Sequence, residues 1–189
     1  MSTAVSAESI RNSRPLQALM TWGHVMFCVS TADHYLHRME TLEAEFTLES
    51  IMEIDGLILA FSVTYGRLFT TGARGLPQLD PNRVYKDVEL RAIHDRIMDL
   101  RHKRYAHEEA SEGIDFSMIV GFEEGALVAK PEIGFTIRGD EFPSYRRLMN
   151  VLQAFTYERI HRFVAKATKE LGVQVVFPSG PPPAHHVQT

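Results

Sequence analysis

The chain has 189 residues, of which 44% are hydrophobic and 23% are charged. This size and balance predict one soluble globular domain and exclude collagen-like, disordered and membrane-spanning proteins. The formal net charge of −4 argues against a protein that coats nucleic acid over its whole surface. The single cysteine, Cys28, allows neither an intramolecular disulfide nor a cysteine zinc cluster, so we expect a cytoplasmic protein. The longest apolar stretches, such as Leu57–Phe61, fall far short of the ~20 residues that a bilayer crossing needs, so we expect no membrane segment.

Apolar residues recur at helical spacing over the first half of the chain. Residues 1–14 are rich in serine and alanine and are predicted to form a flexible N-terminus. Three long helices are predicted next, at about Pro15–Glu45, between Thr47 and Gly72, and at about Arg83–His107. The glycines and prolines of 72–82 predict a loop between the second and third helices.

From Ile114 the apolar period changes from helical to two, which is typical of strands. Turn residues interrupt this pattern at 123–125 and again at Lys130-Pro131. The sequence therefore predicts a short antiparallel β-meander over about 114–138.

Pro143 and Ser144 open a fourth long helix, which Gly172 ends. Residues 178–189 are rich in proline and histidine and predict a tail outside the core. The predicted fold is mainly α (α+β): one domain over 15–177, a four-helix bundle with the small antiparallel β-meander inserted before the last long helix. An exposed sheet edge would need a cover, which a second subunit could supply.

Charge is distributed unevenly along the chain. Between Thr31 and Asp55 there are seven acids against one base, whereas 144–169 carries six bases against one acid. Residues 83–104 carry seven bases against four acids. We expect these segments to attract one another as neighbouring helices, and a basic groove or an acidic face for a partner is the alternative.

The densest polar cluster, Asp99–Glu109, lies at the predicted end of the third helix. An arginine such as Arg101 can bind phosphate through two hydrogen bonds, and a histidine such as His107 can exchange protons near neutral pH. The two residues are six positions apart, so on an ideal helix they point about 120° away from each other. Either the helix ends before His107, or two copies of the chain assemble the site. A solvated helix end, with His107 bound to backbone carbonyls, is the structural alternative.

Two segments of the chain carry a family resemblance. Leu100-Arg101-His102-Lys103-Arg104-Tyr105-Ala106-His107 resembles the Arg-polar-x(3-5)-His signature of the HEPN superfamily, named for higher eukaryotes and prokaryotes nucleotide-binding domains. Tyr65-Gly66-Arg67-Leu68-Phe69-Thr70 is similar to an aromatic-x-Arg-x-Phe-Thr segment of a bacterial branch of that superfamily.

The resemblance implies a role for each motif residue. Arg101 would bind and polarise a scissile phosphate, His107 would act as general acid or base, and His102 would orient the site. Beside these residues we predict three cations that bind phosphate or RNA, namely Lys103, Arg104 and Arg67.

Active HEPN proteins are metal-independent ribonucleases that work as dimers, with both motif helices facing one cleft and no cofactor. A base removes the proton of a ribose 2′-OH, the oxygen attacks the adjacent phosphorus, and a 2′,3′-cyclic phosphate is left. Other members bind nucleotides or partners without catalysis. We expect a homodimer that binds RNA or a nucleotide, and leave open whether it cleaves RNA and whether an antitoxin or other protein binds it. The alternative is a non-catalytic helical interaction module.

Two histidine patterns are weaker candidates for metal sites. His34 and His37, with Asp33 and Glu40 nearby, could form half of a site, but an exposed polar face explains them better. Glu158-x-x-His161 resembles one arm of a di-iron site but has no second copy in the chain, so we predict no metal.

Arg67 lies just beyond the apolar stripe of the second predicted helix. It could pair with an acid such as Asp99, or it could line the cleft of Arg101.

Overall fold

A computed structural model of the chain describes residues 6–42, 47–71, 76–106, 114–123, 125–135 and 139–177. Its long helices are α2 (Arg14–Thr41), α3 (Leu48–Gly66), α5 (Val88–Ala106) and α6 (Phe142–Leu171), and its short ones are α1 (Ala7–Asn12) and α4 (Pro81–Val84). Two strands, β1 (Ile114–Glu123) and β2 (Ala126–Phe135), and a 3-10 turn at Gly139–Glu141 precede α6. The mainly helical fold, with a small antiparallel sheet before the last long helix, confirms the predicted class.

Local residue types set the start of α3 and both ends of α6 where the sequence predicts them. The backbone N–H of Ser50 donates to the Thr47 hydroxyl over 3.2 Å, which starts α3. Pro143 lies in the first turn of α6, and Gly172 ends that helix with a left-handed φ of 67°.

Two helices differ from the prediction: the second is shorter, and the third is divided into two. The second ends at Gly66 rather than Gly72, because tight turns follow it and bury Leu68 and Phe69. The third, predicted as continuous from Arg83, is divided into α4 and α5.

Aspartates explain the division of the third predicted helix. Asp80 caps α4 by accepting from the N–H of Asn82 over 3.0 Å, and Asp87 accepts from the N–H of Glu89 over 2.9 Å at the start of α5. Between these caps the backbone turns so that Tyr85 is fully buried.

The structure describes the N-terminal segment from residue 6 onwards. The flexible N-terminus predicted over 1–14 contains helix α1, which starts where Ser6 accepts from the N–H of Ser9 over 3.1 Å. Ser13 ends α1 and caps α2. The predicted first helix reaches Glu45, but the structure ends α2 at Thr41, and 43–46 lie outside the described residues.

The predicted meander is a single hairpin of two ten-residue strands. β1 and β2 pair antiparallel from Ile114 with Phe135 to Glu123 with Ala126, and Gly125 in the turn has a φ of 83°. The break expected at Lys130-Pro131 is wrong, because Pro131 pairs with Met118 inside the ladder. Each strand of a two-stranded sheet has one edge without a partner strand, where a proline's missing N–H is tolerated.

The core lies between the four long helices. α2 packs against α3 and α6, and α5 packs against the same two helices, which closes the bundle. Its fully buried side chains include Leu36, Ile58, Phe61, Leu148 and Leu152. No helix in the described ranges combines the length and hydropathy that a membrane crossing requires.

Ion pairs connect neighbouring helices, as the uneven charge predicts. Arg146 of α6 binds both Asp33 and Glu40 of α2, with 3.1 Å from its Nε to Oε1 of Glu40. Arg38 of α2 binds Glu53 of α3 over 3.1 Å. Asp33, Glu40 and Glu53 of the acidic segment between Thr31 and Asp55 are therefore engaged within the chain.

Candidate phosphate-binding site

Arg101 lies on α5 with its side chain packed directly on Gly66 of α3. A Cβ built on Gly66 would be 2.2 Å from Cδ and 2.9 Å from Nε of Arg101. Real Cβ atoms do not make such contacts, so the arginine occupies the space that any other residue at 66 would fill. The buried Leu100 beside Arg101 holds this turn of α5 in the core.

Arg67 follows Gly66 at the C-cap of α3 and is exposed. Within the described part of the chain, no acid forms an ion pair with Arg67 or Arg101. The predicted pair of Arg67 with Asp99 is not formed; Asp99 binds Lys103 over 3.0 Å, four residues along α5. The carbonyls at the end of α3 favour cations there by about 0.3–1 kcal/mol, which offsets part of the repulsion between positive charges near this helix end.

The other predicted site residues fall into two groups. His102 and Lys103 are exposed on α5 near Arg101. Arg104 lies in the last turn of α5, and nothing is described of its side chain. His107 lies outside the described residues, so the structure leaves both alternatives for its position open.

A buried hydrogen-bond network joins α3 to α5 next to the arginines. The Tyr65 hydroxyl donates to the Tyr85 hydroxyl over 3.0 Å and lies 2.7 Å from Nδ1 of His94, which leaves the Nδ1–H of His94 to donate to Tyr65. Phe69 packs against the His94 ring with the centroids 4.4 Å apart. Tyr65 directly precedes Gly66, and His94 lies two helical turns before Arg101. The network therefore fixes the two helices where Arg101 rests on Gly66.

Burial keeps this network uncharged at neutral pH. It lowers the pKa of His94, which the nearby Asp95 carboxylate partly opposes. It also raises the pKa of Tyr65 and of Tyr85 well above their ordinary value of 10. The three side chains thus hold the helices in position as neutral hydrogen-bonding groups.

The sequence interpretation missed Tyr85 and His94. His94 is one histidine among the charges of α5, and its buried partner Tyr65 is 29 residues away. The signal that could have found it is its spacing of seven from Arg101, which places both on the side of α5 that faces α3.

The residues of the weaker metal candidates have other partners. Asp33 and Glu40 both bind Arg146. Glu158 binds Arg162, and His161 stacks on Tyr157 with the ring centroids 6.4 Å apart. No group of three or more metal-ligating side chains occurs among the residues that the structure describes.

The arrangement of α3 and α5 suits an oxyanion with several acceptor atoms. Guanidinium groups donate paired hydrogen bonds in the plane that phosphate oxygens match, and they stay charged at any physiological pH. Exposed His102 adds an imidazole within the same turn of α5. The described residues therefore include the paired donors that a phosphate group requires, and a histidine on the same turn of α5.

Comparisons of the chain with protein-family models, curated proteins and solved structures find no match. The resemblance to the HEPN superfamily therefore rests on the motif residues and on their positions in the bundle.

Proposed function

We propose that the protein binds RNA or a nucleotide through phosphate at Arg101 and Arg67, as an HEPN-like homodimer that cleaves RNA without a metal. One observation carries the proposal. Arg101 is held on Gly66, the residue that directly precedes the exposed Arg67, and among the described residues no acid forms an ion pair with either arginine.

The charge around this site supports a polyanionic ligand. The chain is acidic overall, yet residues 83–104 carry seven bases against four acids. A surface with this excess of positive charge attracts phosphate at long range. The exposed Lys103 contributes to the positive charge, although Lys103 also binds Asp99.

In the proposed reaction Arg101 binds the scissile phosphate and stabilises the charge that develops on it. His107 removes the proton of the ribose 2′-OH, whose oxygen then attacks phosphorus. His102 orients the site. The bond to the 5′-oxygen of the next nucleotide breaks, that oxygen takes a proton from water, and a 2′,3′-cyclic phosphate remains.

The test is cleavage of total RNA and purified tRNA in EDTA. We expect the parent to cleave and Arg101→Ala and His107→Ala to lose at least about 100-fold in rate, the contribution typical of one acid–base or oxyanion-stabilising group. Arg162→Ala is the matched control, because it also removes one positive charge but from an exposed pair with Glu158 on α6. It should cleave like the parent.

Binding distinguishes the remaining outcomes. If the parent does not cleave but binds RNA through Arg101, the protein is a binding member of the HEPN type. If it neither cleaves nor binds, the proposal fails and the non-catalytic interaction module takes its place. The ion pairs of Asp33, Glu40 and Glu53 within the chain already reduce the acidic face that this alternative would use.

A further inference from the structure

We propose that Gly66 is a positioning residue: because it has no side chain, Arg101 keeps the position in which it binds phosphate. This inference rests on the proposed function and adds to it a residue that touches no ligand. Gly66 of α3 thereby determines where the Arg101 side chain of α5 lies.

The backbone does not explain a glycine at position 66. Gly66 is the last residue of α3, and the glycines of the described chain with positive φ are Gly125 and Gly172. Any L-residue could adopt the helical conformation there, and most would favour the helix more than glycine does. The constraint is space, since Cδ, Nε and Cγ of Arg101 lie 2.2, 2.9 and 3.6 Å from a Cβ built on Gly66.

An alanine at 66 would displace the arginine and leave the fold intact. The atoms that its methyl group would meet are in the middle of a flexible side chain, which can change rotamer. The backbone of α5 cannot follow easily, because Ile97 and Leu100 are buried in the core. The guanidinium would therefore move away from α3, and hydrogen bonds to phosphate tolerate only a few tenths of an ångström.

Gly56 provides a control on the same helix. A Cβ built on Gly56 meets nothing within 4 Å. Gly56→Ala and Gly66→Ala thus make the same chemical change in α3, and they differ in whether Arg101 occupies the space.

The experiment measures binding of a fluorescent single-stranded 12-nucleotide RNA by anisotropy, in EDTA and with His107→Ala throughout so that the probe is not cut. The set is the parent, Gly66→Ala, Gly56→Ala, Arg101→Ala and the double variant at 66 and 101. We expect Gly66→Ala and Arg101→Ala each to weaken binding about tenfold, and Gly56→Ala to bind within about twofold of the parent. The double variant should bind no more weakly than Arg101→Ala, because the two changes remove the same contact.

An NMR signal reports the arginine itself. The Nε–H resonance that disappears in Arg101→Ala identifies the Arg101 side chain, and Gly66→Ala should shift this resonance while Gly56→Ala leaves it in place. A thermal melt checks that each variant is folded, which a change of rotamer does not prevent.

Each outcome has one meaning. Full binding by Gly66→Ala, where Arg101→Ala loses it, overturns the inference and leaves the proposed function standing. A further loss in the double variant also overturns it, because the effect of residue 66 would then not pass through Arg101. Unchanged binding by Arg101→Ala overturns the proposed function, and this inference with it.

Discussion

At the scale of single residues, His94 makes the stability of the fold depend on pH. Burial lowers its pKa below the ordinary 6.5, so the unfolded chain takes up a proton at a higher pH than the folded chain does. The unfolded state therefore binds more protons as the pH falls below about 6.5, and the free energy of unfolding decreases through that window until the lower, folded pKa is passed.

We predict that His94→Phe flattens this dependence. The phenyl ring keeps the packing against Phe69 but cannot take a proton, and at pH 7.5 its loss of the hydrogen bond to Tyr65 costs about 1 kcal/mol. Urea unfolding of both proteins from pH 7.5 to 5 measures how the free energy of unfolding changes with pH in each, and the two proteins differ only at residue 94. If the free energy of unfolding falls equally steeply with decreasing pH in the two proteins, the prediction is contradicted.

At the scale of elements, the two adjacent arginines of α6 should differ in what they contribute to helix packing. Arg146 binds Asp33 and Glu40 with all three side chains between 22% and 28% exposed. Arg147 binds Asp87 and Glu89 with its own side chain 56% exposed. Water screens the second set of ion pairs far more than the first.

We predict that Arg146→Ala lowers the free energy of unfolding by about 1–3 kcal/mol, less than for a fully buried pair, because it leaves two half-buried carboxylates without their shared cation. Arg147→Ala should cost about 0–1 kcal/mol. Urea denaturation at low and high salt measures the loss in the free energy of unfolding for each variant. A loss for Arg147→Ala as large as that for Arg146→Ala would show that exposure does not decide the strength of these pairs.

Sequence patterns predicted the elements that local chemistry determines. Thr47 and Gly172 mark helix ends because capping and left-handed backbone depend on residue type alone. The break between α4 and α5 has two local caps, Asp80 and Asp87, which the prediction did not use, and the turn between them also buries Tyr85 against Tyr65 of another helix. The hairpin was predicted as a meander because a proline usually ends a strand, and only the two-stranded pairing makes it acceptable.

In the candidate site, too, some features follow from local sequence and others from helix packing. Its arginine was found from the motif, because Arg101 and its neighbours form a contiguous segment. Gly66 belonged to the second resembling segment, but no spacing in the sequence indicates that Arg101 fills the space above it. That contact connects positions 35 residues apart on two helices, and it became visible only with their packing.

At the scale of the whole molecule, the proposed site raises the question of which protomer supplies each catalytic group. α5 is helical through Ala106, and a helix continued by one residue would point position 107 about 120° away from Arg101. Arg101 itself packs on α3 of its own chain. A homodimer resolves this if His107 of one protomer serves Arg101 of its partner across the two-fold axis.

We predict that two inactive variants restore activity when they are mixed. In a dimer of Arg101→Ala with His107→Ala, one shared site keeps both native residues if the site is formed across protomers, and none does if it is formed within one chain. Random exchange makes about half of the dimers mixed, and each has one of two sites intact, so RNA cleavage should recover to about a quarter of the parent rate. A mixture of Arg101→Ala with Arg101→Ala,His107→Ala is the control and should stay inactive. Sedimentation confirms exchange between labelled protomers, and an inactive mixture despite exchange would place both residues of the site in one chain.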